Sequence, residues 1–173
     1  MSWILTHSGK HFDFLNSTPD MIDIMDIARG LSREARFSGQ TKKMYTVAQH
    51  SVGCSHLVSR DYQLEALLHD AAEAYCKDIP SPLKCLLPDY KRIHDSVDAA
   101  IRLRFNLPEK MSIEVHKADL TMLATEKRDL MPADKIAWPM LVDVTPMPRT
   151  IYPYHPDRAY DLFCSRWMEV MHG

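Results

Sequence analysis

The sequence predicts a mainly α, single-domain protein with a short N-terminal β-hairpin. Three observations carry this. Apolar residues recur at helical spacing through most of the chain, capping residues precede those stretches, and prolines separate them. The 173 residues suit one core, and no repeat, low-complexity tract or linker interrupts residues 1–173.

The elements follow in chain order. Trp3 to Phe14 places apolar and aromatic residues on both sides of Ser8-Gly9, which suggests a hairpin. Thr18-Pro19-Asp20 supplies capping and first-turn signals for a helix whose stripe is Ile24, Ile27, Ala28 and Leu31. Arg36-Phe37-Ser38-Gly39 reads as a loop. Thr46 can cap a second helix to about Ser59, and a third is expected from about Tyr62 to Cys76. Two nearly adjacent prolines, Pro80 and Pro82, stop helical structure after Asp78. Further helices fit Tyr90 to Phe105 and Ile113 to Leu130, the latter opened by Ser112. The proline-rich stretch from Pro132 to Pro153 should be irregular. Pro156 then opens a last amphipathic helix through Tyr160, Phe163, Trp167 and Val170.

Composition narrows the function. Lysines and arginines number 21 against 23 acids, a net charge of −2, so nothing marks a nucleic-acid groove or a membrane surface. No stretch approaches the roughly 20 apolar residues of a membrane span, and the N-terminus lacks a signal-peptide pattern, so the cytoplasm is the expected location. Cys54, Cys76, Cys85 and Cys164 form no CxxC pair and are expected to be reduced thiols, mostly buried.

The chemically informative string is His69-Asp70-Ala71-Ala72-Glu73, set in an otherwise apolar helix after Ala66-Leu67-Leu68. Buried charge is costly unless paired or metal-bound, and an imidazole beside a carboxylate offers two ligands for a divalent ion. Glu73 is expected on the same helical face, one turn along. His50, in the middle of the preceding helix, reaches the same ion if the two helices pack antiparallel. Asp119, within the long helix, completes a His-His-Asp-Asp set from three helices that leaves positions open for water and phosphate oxygen. The other seven histidines are read as surface or ordinary hydrogen-bonding residues, and Glu126-Lys127-Arg128-Asp129 as a helix charge network.

These residues resemble the HD-domain phosphohydrolase superfamily, whose pattern is a His, a His-Asp pair and a distant Asp on a helical bundle. His69 to Glu73 and Asp78-Ile79-Pro80-Ser81-Pro82-Leu83-Lys84 are similar to the HDxxE and D-x-P-x-P-x-K elements of 5′-deoxynucleotidases. Arg36 to Thr41 and Tyr45 to Ser51 resemble small phage-encoded dATP triphosphohydrolases. The resemblance implies that His50, His69, Asp70 and Asp119 bind the metal and that Glu73 is the general acid or base. It implies that Asp78 orients water or bonds the sugar, and that Arg36 and Lys84 neutralise phosphate. Phe37 stands where the nucleotidases have a Trp beside the nucleoside, and Pro80 and Pro82 would stiffen the base pocket.

The expected cofactor is one divalent transition ion, Zn²⁺ first, with Co²⁺ or Mn²⁺ compatible with the ligand types. The expected partner is a small deoxynucleotide, with no nucleic-acid polymer or membrane, and the implied assembly is a homo-oligomer. The leading activity is dATP triphosphohydrolysis to deoxyadenosine and triphosphate. The alternatives are a 5′-deoxynucleotidase, a nucleotide-binding HD sensor without turnover, and hydrolysis of a signalling nucleotide such as a guanosine tetraphosphate.

Overall fold

The computed structural model describes residues 1–173. Strands β1 (Trp3–Leu5) and β2 (His11–Asp13) pair antiparallel with Ile4 opposite Phe12, forming the hairpin. Gly9 turns it with φ +84°, a conformation that costs glycine nothing. The Ser8 amide and hydroxyl both donate to the buried Asp26 carboxylate, at 2.8 and 2.7 Å. The turn is thereby tied to helix α1 (Ile24–Arg33), and Phe12 enters the core, stacked on Tyr75.

Helix α1 begins later than its sequence signals suggest. Pro19–Met21 makes only a 3₁₀ turn, the chain re-extends, and Asp23 caps the helix by accepting from the Met25 amide. A second capping residue close to the apolar stripe outcompetes Thr18-Pro19.

Helix α2 (Val47–His56) is capped by Thr46 as expected, and α3 (Gln63–Leu68) returns antiparallel against it. The expected long third helix is broken. After Leu68 the amide bonds shorten from i+4 to i+3 (Ala71 to Leu68, Glu73 to Asp70, Ala74 to Ala71) before a short α4 (Glu73–Cys76). Tightening of this kind stacks side chains three apart.

The chain continues through α5 (Ser81–Lys84), α6 (Pro88–Arg104), α7 (Ile113–Leu130) and α8 (Pro156–His172). The core is continuous from Phe12 through Ile27, Leu31, Ala48, Leu67, Leu68, Val97 and Ile101 to Phe163. Helix α8 covers this core: Trp167 meets Phe105 edge-on at 5.3 Å, while Met168 stays exposed. No helix is long and apolar enough to cross a membrane.

Gly30 sets the spacing of α1 and α4. A Cβ there would lie 2.7 Å from Ala74 Cβ and 2.7 Å from the Ala74 carbonyl oxygen. Backbone cannot yield as a flexible side chain can. Gly30→Ala is therefore expected to destabilise the fold by about 1–3 kcal/mol, seen as a melting-temperature drop of about 3–10 °C. An unchanged melting temperature would show that the two helices can separate freely.

Candidate metal centre

The α2–α3 hairpin and α7 bring the candidate ligands together, with both histidines at helix ends rather than helix centres. His50 sits in the first turn of α2, His69 just past the end of α3, and Asp119 in the second turn of α7. The antiparallel return of α3 explains this, because it sets the start of α2 beside the end of α3.

Four ligand atoms converge. His50 Nε2 lies 3.2 Å from His69 Nε2 and 3.2 Å from Asp119 Oδ1. Asp70 Oδ2 lies 3.3 Å from His69 Nε2 and 3.6 Å from His50 Nε2, and Asp119 Oδ1 is 3.9 Å from His69 Nε2. Bonds of about 2.0–2.2 Å at tetrahedral angles span edges of about 3.3–3.6 Å, a range that these separations bracket.

The outer bonds assign the tautomers. His69 Nδ1 is 2.8 Å from the Ala66 carbonyl oxygen, which can only accept, so Nδ1 carries the proton. His50 Nδ1 is 2.6 Å from Glu126 Oε1, and Arg36 and His50 hold that carboxyl below its usual pKa although burial opposes this. Nδ1 of His50 must therefore donate as well. Both Nε2 lone pairs then face each other and two carboxylates, an arrangement that needs a cation or extra protons. In the metal-free cluster protons take that place. Burial opposes charging His69, yet Asp70 and its neighbours push the imidazole up to about 10. The donor set thus fits a divalent ion, with each histidine oriented by its second nitrogen.

Glu126 is the residue that sequence reasoning missed. Read as part of a helix charge network, it is fully buried, and it bridges His50 Nδ1 at 2.6 Å and Arg36 Nε at 3.1 Å. Its signal was one i,i+7 step from Asp119, which puts both acids on one face of α7. The rest of that stretch has other roles: Lys127 lies over Trp138, and Arg128 and Asp129 bind the backbone of residues 147–151.

Arg36 is tied into the same cluster. It is buried, with Nε on Glu126 and Nη1 on Asp70 at 3.2 Å, so its charge supports the ligand carboxylates, and only Nη2 is left without a protein partner. The adjoining Phe37 and Ser38 are left-handed, with φ 55° and 51°. Strain of this kind persists where surrounding contacts enforce it. Here the Arg36 ion pairs hold one side, and Phe37 meets Trp138 at 6.2 Å on the other.

Glu73 is buried, and its Oε2 has no hydrogen-bond partner. Burial first, then the Asp70 and Asp78 carboxylates, push its pKa well above the usual carboxylate range. Lys84 Nζ stands 3.7 Å from Glu73 Oε1. Asp78 is raised too, chiefly by burial. Pro80 and Pro82 act as turn-formers: the Pro80 carbonyl accepts from the Leu83 and Lys84 amides, which turns Lys84 back toward Glu73. Pro82 itself is exposed. Of the cysteines only Cys54 is buried; Cys76 and Cys164 are half-buried and Cys85 is exposed, because the segments carrying these three lie at the edge of the core.

Glu126→Leu removes the charge that faces Arg36 and the acceptor that orients His50. Losing one partner of a buried ion pair costs about 3–5 kcal/mol, and losing an outer-shell partner weakens metal binding roughly 10–100-fold. Thermal denaturation and metal titration should register both effects. Wild-type affinity in the variant would exclude Glu126 from orienting the ligand.

Fold and site together define a helical protein with a buried His/Cys/Asp group able to hold a metal ion. No family model matches the chain. It is 50% identical over 172 residues to the uncharacterized protein YfdR of Escherichia coli, covering 98% of this chain and 96% of that protein. It is also 37% identical over 127 residues to an uncharacterized protein of Rhodobacter capsulatus, covering 68% and 65% of the two chains. The chain belongs to the YfdR family.

Proposed function

We propose that this protein is a metal-dependent phosphohydrolase of the HD-domain type acting on deoxynucleotides, with dATP triphosphohydrolysis as the leading activity. The observation that carries the reading is the convergence of His50, His69, Asp70 and Asp119, with each imidazole bonded outward through Nδ1 and its Nε2 facing inward. The buried, partly unpartnered Glu73 carboxyl at its edge adds the proton-transfer group. Zn²⁺ is the favoured ion, with Co²⁺ or Mn²⁺ as alternatives.

When bound, the ion would polarise the phosphoryl group and acidify a water. The chain's own residues supply the rest. Glu73, kept neutral by burial and by Asp70, donates a proton from its carboxyl to the leaving oxygen. Lys84 neutralises phosphate charge beside it, and the free Nη2 of Arg36 adds a donor behind Asp70. Asp78 orients water or the sugar. Phe37, packed on Trp138, offers an aromatic wall for the base. In this reading no side chain attacks the phosphorus, and water is the nucleophile.

Product analysis tests the reading. Metal-loaded protein is incubated with dATP and with dAMP, and the phosphorus products are identified. Triphosphate from dATP is the expected result. Orthophosphate from dAMP alone would replace it with a 5′-deoxynucleotidase, and tight nucleotide binding with no turnover would leave a sensor module.

A further inference from the structure

Cys54 is the one donor of the cluster without a role in the reading above. It lies on α2 one turn after His50, so both side chains leave the same helical face. The residue is fully buried, and its Sγ is 3.4 Å from His50 Nε2. His50, Cys54, His69 and Asp119 each offer a ligand atom, all within 4.8 Å of one another. On its other side Cys54 packs on Ala66, Val115 and Met122, which hold the thiol in place.

Two features turn this proximity into an assignment. The Glu126 bond engages Nδ1 of His50, so Nε2, the nitrogen nearest the sulfur, is the ring atom left to bind an ion. In addition, a metal–sulfur bond of about 2.3 Å and a metal–nitrogen bond of about 2.0–2.1 Å at a tetrahedral angle span about 3.5 Å, close to the observed separation.

We infer that the Cys54 thiolate is a ligand of the same ion, beside His50, His69 and Asp119, and that it makes the centre prefer thiophilic ions of the zinc class over Mn²⁺ and Mg²⁺. The inference rests on the metal centre of the proposed function and is independent of the substrate. Binding breaks the S–H bond and forms a sulfur–metal bond, and the proton passes to solvent with no change of oxidation state. Soft sulfur is the donor type that discriminates against Mn²⁺ and Mg²⁺.

The test uses the full chain, stripped of metal, kept reduced and loaded with Co²⁺. The wild type should show an intense near-ultraviolet sulfur-to-cobalt charge-transfer band. Cys54→Ser and Cys54→Ala should each still bind Co²⁺ but lack the band, and their preference for Zn²⁺ over Mn²⁺ should fall roughly tenfold or more. The near-isosteric serine guards against a folding defect in the alanine variant. No band in the wild type, or an unchanged band in the variants, would overturn the assignment. A Cys54-dependent band without turnover of any deoxynucleotide would keep it and remove the phosphohydrolase reading. Turnover without the band would do the reverse.

Discussion

His69→Ala is expected to yield a folded chain that no longer retains a divalent ion. The wild-type chain should carry about one ion, because a folded cluster of converging ligands binds metal by releasing its protons, and that binding adds to the stability of the fold. The imidazole contributes Nε2 to the centre and bonds the Ala66 carbonyl through Nδ1. Its removal takes away a ligand outright, an effect larger than the roughly 10–100-fold contributed by an outer-shell partner. It also leaves a buried carbonyl unsatisfied, at a cost of about 1–3 kcal/mol. Elemental analysis of both proteins, purified in parallel, measures the outcome. Equal metal content would mean that the ion sits elsewhere. Adding metal should raise the melting temperature of the wild type and leave that of the variant unmoved.

Glu73→Gln should separate catalysis from structure. Because burial and the nearby carboxylates raise the Glu73 pKa, the native carboxyl keeps its proton above its ordinary value of 4.5. Glutamine copies that neutral shape but cannot transfer the proton. Metal content should stay unchanged, while turnover falls about 10²–10⁴-fold. The pH dependence has a definite sign. Above pH 4.5 the unfolded chain ionises Glu73 while the native chain does not, so this group lowers stability as pH rises toward its raised native pKa. The variant lacks that penalty. Its metal-free form should melt at or above the wild-type temperature at neutral pH, with the gap closing toward pH 4.5. Retained turnover would remove Glu73 from proton transfer, and a large drop in melting temperature would show that it has a structural role.

The sequence by itself determined the helical class, the hairpin, and α7 from Ile113 to Leu130, because cap residues and 3.6-residue periodicity are local signals. It also singled out His50, His69, Asp70 and Asp119, since isolated polar residues in apolar stripes stand out without knowledge of contacts. Only the tertiary structure decided how those residues are supported. The break after Leu68 is invisible to periodicity, because i+3 and i+4 bonding carry the same residue pattern. Glu126 looked like one member of a helix charge network, and its burial depends on α7 packing against α2. Arg36 reads in the sequence as a phosphate ligand, and only the structure shows that it also pairs with Asp70 and Glu126. Cys54 looked like an ordinary core thiol, and its place beside His50 Nε2 follows from a helical face shared with a residue whose ring is held from behind. The metal centre named in the sequence is a pattern of four residues. Its tautomers, its outer acid and its nearby sulfur arise from side chains far apart in the chain, and their distances exist only once the helices have packed.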